Sequence, residues 1–292
     1  MIKKLLVTDI DETLSRGNDI PPEVVSACAR LHDEGWSIMV ATGRMLASSM
    51  HHIRETGTAL PAIVYNGARV MDHRTSRPVF ETTLDPGLAL EALRVGWDCP
   101  VELQVVGDEA AFCRKDDHIT GRYLTGSGIP VDRTCEAPFT PDRVYRVLFY
   151  GEMRHILPLE RVLKERFGGR AEIVQAGEGY LDVLPLGVSK GSALRRWLDS
   201  LPAKPEIVVA AGDHHNDVEM LKEADLSAAP RDAAAEVLPM ADVIIPSANE
   251  GGFATLADWL MGMDGVAALE AAATRSRSGG EKTELVRVAP SC

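Results

Sequence analysis

The sequence predicts an α/β protein: a parallel sheet assembled from the two ends of the chain, with an α+β segment inserted between them. Three observations carry that expectation. Near both ends, short apolar runs alternate with amphipathic helices, which is the pattern of parallel strands joined by right-handed crossovers. From about Thr83 to Leu186 the alternation is lost, and paired strands with separate helices take its place. Finally, each terminal run stops at polar residues, and ligands of such sheets bind beyond the carboxyl ends of the strands.

The first run, Leu5-Leu6-Val7, reads as a buried strand that stops at Asp9 and Asp11. A polar stretch ending in Pro21-Pro22 opens a helix to about His32, with Val24, Val25, Cys28 and Leu31 on one face. Trp36 to Ala41 is a second strand ending in Thr42-Gly43-Arg44, followed by a helix to about Glu55. A third short run, Ala62 to Tyr65, ends in Asn66-Gly67-Ala68. In the insert, Leu88 to Leu93 and Pro158 to Phe167 read as helices, and Val101 to Val106 and Val144 to Tyr150 as strands. Glu172 to Val174 and Tyr180 to Leu184 read as a strand pair joined through Gly177 and Gly179. The parallel pattern resumes with a helix opened by Ser189-Lys190-Gly191 and a strand from Glu206 to Ala211 that ends in Gly212-Asp213-His214-His215-Asn216-Asp217. A helix carrying Val218, Met220 and Leu221, a strand at Leu226 to Ala229, a helix from Asp232 to Val237, a strand at Val243 to Ile245 and a helix from Phe253 to Met261 complete it. The composition beyond Asp264 is that of a poorly ordered tail. The expected division is a core of residues 1–82 and 187–262, an inserted domain at 83–186 and a flexible tail at 264–292.

Length and composition fit this plan. The chain has 292 residues, enough for two moderate domains, with 45% apolar and 25% charged residues. A net charge of -12 argues against a nucleic-acid partner but leaves room for a phosphorylated substrate. Cys28, Cys99, Cys113, Cys135 and Cys292 are odd in number and scattered, which indicates neither a disulfide framework nor a zinc site. Met1 to Lys4 and the few apolar residues after them are too short for a signal peptide, and no run is long enough to span a bilayer. A cytoplasmic protein without membrane partners, monomeric or homodimeric, is expected.

Asp9, Asp11, Thr42, Lys190, Asp213, Asn216 and Asp217 all fall at strand ends or helix starts. An Asp-x-Asp alone is more often an acidic turn than a site. On an extended chain, however, positions two apart share a side, and two carboxylates held close need a cation, a proton or a catalytic use. Three or more oxygens in a crevice suit Mg²⁺. Asp213 and Asp217, four apart, share a face if a helix begins near Asp213; Asp213 is then placed to bind metal and Asp217 to hold Lys190. Lys190 and the amides after Thr42 are placed to meet a phosphoryl group. One carboxylate of the first pair can attack phosphorus while the other exchanges protons with leaving group and water. Arg44 fits either a phosphate contact or a surface salt bridge. His214 and His215 lack partners at zinc-ligand spacing and read as exposed or substrate-facing. Arg114, Lys115, His118 and Arg122 either line the path of an anionic substrate or form a solvated helix face.

The ordered motifs Asp9-Ile10-Asp11-Glu12-Thr13, Thr42-Gly43-Arg44, Val188-Ser189-Lys190-Gly191 and Gly212-Asp213-His214-His215-Asn216-Asp217 resemble those of the haloacid dehalogenase (HAD) superfamily, in its Cof-like branch with a type-IIB (C2) cap. Asn66-Gly67-Ala68 and Glu250-Gly251-Gly252-Phe253 resemble that branch too, and the likeness spans about residues 1–262. It implies a Rossmann-like parallel-sheet core with an inserted α+β cap that closes over the site. It further implies a Mg²⁺-dependent phosphatase of small phosphate monoesters, a sugar phosphate or similar metabolite, acting through an aspartyl-phosphate. By this resemblance Asp9 is the nucleophile and Asp11 the general acid/base, while Thr42 and Lys190 hold phosphoryl oxygens. Gly43, Arg44, Asn66 and Asn216 join them around the substrate. The metal set is the Asp9 carboxylate, the Asp11 main-chain carbonyl and Asp213, with Asp217 in support. A phosphomutase or phosphotransferase would use the same chemistry with another acceptor. Glu12 replaces a common glycine, and Pro230-Arg231-Asp232-Ala233 stands where many relatives have Gly-Asn-Ala; neither change removes a catalytic group.

Overall fold

In the computed structural model, residues 2–15, 17, 19–108, 110–114, 117, 130–262, 267, 269 and 283–285 are described. The two ends of the chain build one six-stranded sheet, entirely parallel. Its strands are β1 (Lys4–Thr8), β2 (Trp36–Val40), β12 (Ile207–Ala211), β13 (Leu226–Pro230), β14 (Val243–Ile245) and β15 (Thr283–Glu284), in the order β15-β14-β13-β12-β1-β2. The apolar runs are continuous because both faces are covered. Leu6, Ile38 and Val209 face a cluster that includes α1 (Pro22–Asp33) and α7 (Gly252–Met261). Leu5, Val7, Met39 and Val208 face one that includes α5 (Lys190–Ser200) and α6 (Val218–Glu223). The chain leaves β1 toward β2 on one side, whereas β12 pairs with its other side, so the switch point of the sheet lies between β1 and β12.

The insert folds as a second six-stranded sheet. It comprises β6 (Glu102–Val106), β7 (Ala111–Arg114), β8 (Val131–Cys135), β9 (Arg146–Tyr150), β10 (Ala171–Gly177) and β11 (Tyr180–Pro185), ordered β10-β11-β9-β6-β7-β8. All pairings are antiparallel except β7 with β8. Helices α3 (Pro86–Gly96) and α4 (Met153–Phe167) pack on it through Leu88, Leu93, Ile156, Leu163 and Phe167, with Phe149 of β9 at the centre. A Rossmann-like core with an α+β cap is therefore the fold.

Four local expectations need correction. The run at Ala62–Val64 (β3) touches the parallel sheet through one bridge, Ile63 to Ala41, and instead opens an antiparallel sheet with β4 (Arg69–Asp72) and β5 (Arg77–Glu81). The segment 232–237 is a series of turns, not a helix: its Ala234 amide donates to the Asp213 carbonyl, and Ala233 to that of Pro230. Helix α4 starts at Met153, and Pro158 lies inside it. Arg114 is a strand residue, with its guanidinium donating to Asp117 and to the carbonyls of Trp97 and Val101, so it belongs to no solvated helix face. Lys115, His118 and Arg122 lie outside the described residues, as does most of 264–292; Thr283–Glu284 extend the parallel sheet at its edge.

Candidate active site

Strand β1 ends at Thr8 and β12 at Ala211, so Asp9 and Asp213 leave neighbouring strands on either side of the switch point. The Asp9 amide donates to the Ala211 carbonyl, tying the two exits together. Lys190 opens α5, where Ser189 caps the helix by accepting from the Ser192 amide. Its depth is set by Gly67, whose φ is +99° and whose missing Cβ would stand 2.2 Å from the Ser189 carbonyl oxygen. A side chain there would push the helix start outward.

Lys190 is fully buried, and its Nζ lies 2.8 Å from Asp9 Oδ1 and 2.7 Å from Asp217 Oδ1. Carboxylate oxygens of Asp9, Asp213 and Asp217 all lie within 4.8 Å of one another. One ammonium thus serves three carboxylates. Burial pushes Asp9 up to about 7, against the pull of Lys190 and with a further push from Asp217 and Asp11. Burial, then Asp217 and Asp9, push Asp213 up to about 9. Burial opposes the charge on Lys190, yet Asp217 and Asp9 outweigh it and hold the amine above its ordinary value. A cluster this short of positive charge, built of hard oxygens, fits a divalent cation such as Mg²⁺.

Asp213 and Asp217 are not brought together by a shared helix face. Residues 215–217 form a 3-10 turn, and Asp217 Oδ2 accepts from the amides of Asp213 and His214, each at 3.1 Å, which folds the loop around the carboxylate. Asp213 Oδ1 also accepts from Thr13 Oγ1 at 2.9 Å. Thr13 had no role assigned from sequence, although it closes the first motif; its spacing from Asp11 was the available signal.

Asp11 departs from the expected pairing. The strand has already ended, so the two-residue rule does not apply, and the Asp11 side chain is outside the three-carboxylate cluster. Arg44 forks it instead, with Nε donating to Oδ2 at 2.9 Å and Nη2 to Oδ1 at 2.5 Å. Of the two readings for Arg44, the structure shows the ion pair. Thr42 is buried, and its hydroxyl accepts from the Arg44 amide. Tyr65 and Asn66 both take left-handed backbone angles (φ +52° and +53°), a strained conformation of the kind concentrated at functional sites. Asn66 is buried there, and its Oδ1 accepts from Asn216 Nδ2 at 2.9 Å. Glu12 is left-handed as well (φ +55°), which explains why glycine suits that position. His214 and His215 are within 3.3 Å of each other through their Nδ1 atoms, and His215 pairs with Glu236 at 3.1 Å.

Two residues of the cap reach this site without having been singled out from sequence. Asp182 of β11 is fully buried and accepts from Asn66 Nδ2 at 2.5 Å. Arg146 of β9 donates to the same carboxylate at 3.4 Å and to the Gly43 carbonyl at 2.7 Å. Gly43, Asn66 and Asn216 are thus gathered with Thr42 beside the cluster, from three separate loops.

An α/β core with a buried acid–lysine cluster at its switch point, overlaid by an α+β cap, is the architecture of a capped hydrolase of the α/β class. The comparisons with known proteins agree: the profile of the haloacid dehalogenase-like hydrolases matches residues 6–256, and the chain belongs to that family. It is a hydrolase of the Cof-like type, and the curated relatives it resembles are named as phosphatases. The HMP-PP phosphatase of Serratia proteamaculans is 28% identical over 222 residues, covering 75% of this chain and 80% of that protein. The HMP-PP phosphatase of Citrobacter koseri is also 28% identical, over 220 residues with the same coverage. Among solved structures, a haloacid dehalogenase-like hydrolase from Bacteroides thetaiotaomicron superposes with a TM-score of 0.76 at 20% identity, covering 89% of this chain and 100% of its own. One from B. subtilis does so at 0.73 and 21%, covering 88% and 100%.

Proposed function

We propose that this chain hydrolyses small phosphate monoesters of the sugar-phosphate kind in the cytoplasm, with Mg²⁺ as cofactor and Asp9 as nucleophile. The observation that carries the reading is the buried contact of Lys190 with both Asp9 and Asp217, against a third carboxylate at Asp213. The Asp9 and Asp213 carboxylates, Asp217 and the main-chain carbonyl of Asp11 would hold Mg²⁺, which supplies electrostatic stabilisation of the charge on the transferring phosphoryl group.

In this reading, Asp9 attacks phosphorus, the bond from phosphorus to the leaving oxygen breaks, and Asp11 protonates that oxygen. Asp11 then takes a proton from water as the water oxygen attacks phosphorus, and the bond to Asp9 breaks to return the carboxylate. Asp11 must turn from Arg44 toward the leaving oxygen for the first transfer. Thr42, Lys190 and the amides after Thr42 would hold phosphoryl oxygens, with Gly43, Arg44, Asn66 and Asn216 around the substrate. The cap, taken as residues 83–186, would exclude water and select the leaving group.

Phosphate release from an aryl phosphate and a panel of sugar phosphates, with Mg²⁺ and with EDTA, tests the reading. Mg²⁺-dependent release by the wild type and its loss in Asp9→Asn are expected. Release that survives in Asp9→Asn rules out Asp9 as nucleophile, and absence of release from folded, Mg²⁺-bound wild type points to transfer to an acceptor other than water.

A further inference from the structure

The cap residue Asp182 has no part in the chemistry above, yet it is wholly buried and its Oδ2 meets two donors: Asn66 Nδ2 and a nitrogen of Arg146. That oxygen is an acceptor whichever protonation state the carboxyl takes, since any proton would sit on Oδ1. Its effect passes along the chain of amides. Asn66 must turn its NH2 toward Asp182, so its Oδ1 faces Asn216. Asn216 must answer with its own NH2, as the 2.9 Å contact shows. The Oδ1 of Asn216 is then left buried and without a hydrogen-bond partner among the described residues. An amide alone has no preference between its two faces. Without Asp182, both asparagines reverse at no cost in hydrogen bonds.

We propose that Asp182 is a positioning residue for the site: it fixes which way the Asn66 and Asn216 amides face, and so makes Asn216 offer an acceptor. An acceptor suits a cation or a hydroxyl, not a phosphoryl oxygen. Arg146 works from the same strand layer by donating to the Gly43 carbonyl, in the loop that follows Thr42. Asp182 and Arg146 come from the cap sheet, while Gly43, Asn66 and Asn216 come from the core, so the amides are oriented only while cap and core are docked. This inference rests on the proposed phosphatase reading for its catalytic consequence, but not for the orientation itself.

The test uses the full chain and two readouts. One is aryl phosphate turnover with Mg²⁺. The other is the side-chain NH2 resonance pair of Asn216, identified by its loss in Asn216→Asp. In Asp182→Leu, kcat is expected to fall about 10- to 100-fold with a much smaller change in KM, and the Asn216 pair to shift. Asn66→Asp sets two acceptors against each other and is expected to be impaired. Combining it with Asp182→Asn restores a donor opposite Asp182's old partner and keeps an acceptor facing Asn216, so the double variant should recover the Asn216 resonance. Should Asp182→Leu not fold, this exchange pair carries the test. An unmoved Asn216 pair in Asp182→Leu, or a double variant whose Asn216 pair stays where Asn66→Asp alone leaves it, overturns the proposal. If the wild type releases no phosphate, the phosphatase reading fails, and the resonances still decide the orientation.

Discussion

Asp9 and Asp213 show how a single buried ammonium leaves a site incomplete. Without metal, both carboxyls hold protons more tightly in the fold, at about 7 and about 9, than at the ordinary value of 3.8. Between those values the native state carries more protons than the unfolded chain, so stability falls as pH rises through the window. A cation competes with those protons and relieves more strain once they have left. Thermal unfolding in EDTA is therefore expected at lower temperature at about pH 8.5 than at about pH 6, with Mg²⁺ raising Tm more at the higher pH. Asp213→Asn should flatten the EDTA profile and abolish most of the Mg²⁺ response. A Tm in EDTA that does not move with pH rejects the argument. These residues were legible as a motif; that Asp11 turns to Arg44 was not, because the end of β1 is decided by pairing with β12 and β2.

Helix α5 illustrates what an element needs in order to place one atom. Its cap and apolar face were readable from Ser189-Lys190-Gly191 and the residues after it. The fit of its first turn was not. A Cβ on Gly191 would stand 2.3 Å from the carbonyl carbon of Glu219, the backbone of α6. Gly191→Ala therefore requires one backbone to move, at about 1–3 kcal/mol, and should lower activity by shifting Lys190. Urea unfolding and phosphate release on the same variant check both effects; unchanged stability would show that the helices slide apart freely. The elements that differ each have a physical cause as well. The β4–β5 hairpin carries Arg69, Asp72, Arg77 and Glu81, too polar to read as a strand pair from pattern. Residues 232–237 have helical composition, but their amides are taken by Pro230 and Asp213.

The core has an apolar cluster on each face of its sheet, the cap has its own, and a fourth joins cap and core. It gathers Ile10, Val40, Tyr65 and Met71 with Val106, Cys113, Tyr145 and Leu184. Tyr145 is central to this joint: fully buried, stacked on Tyr65 at 5.7 Å between ring centroids, and under the Arg69 guanidinium at 4.4 Å. Its hydroxyl donates to Asp108 at 2.5 Å and lies 3.2 Å from Glu81. Arg69 and Arg143 bridge the same two acids across the junction. Tyr145→Phe is expected to cost about 1 kcal/mol through the lost hydrogen bonds. Tyr145→Ala should cost about 3–5 kcal/mol and loosen the docking of the cap. Denaturant unfolding followed separately by Trp fluorescence and activity would show activity lost before the core unfolds in Tyr145→Ala; coincident transitions would mean that cap and core unfold as one unit.

Local periodicity and turn chemistry, written in neighbouring residues, were enough to place the α/β core and the α+β insert, and the order of short motifs at strand ends carried the resemblance to the family. The contacts that finish the site are of another kind. Asp217 folding back on the Asp213 amide, Arg44 taking Asp11, and Asp182 reaching Asn66 from 116 positions away depend on which loops the two sheets bring face to face. Buried polar atoms must find partners wherever the fold puts them, and only the tertiary structure decides which partners those are.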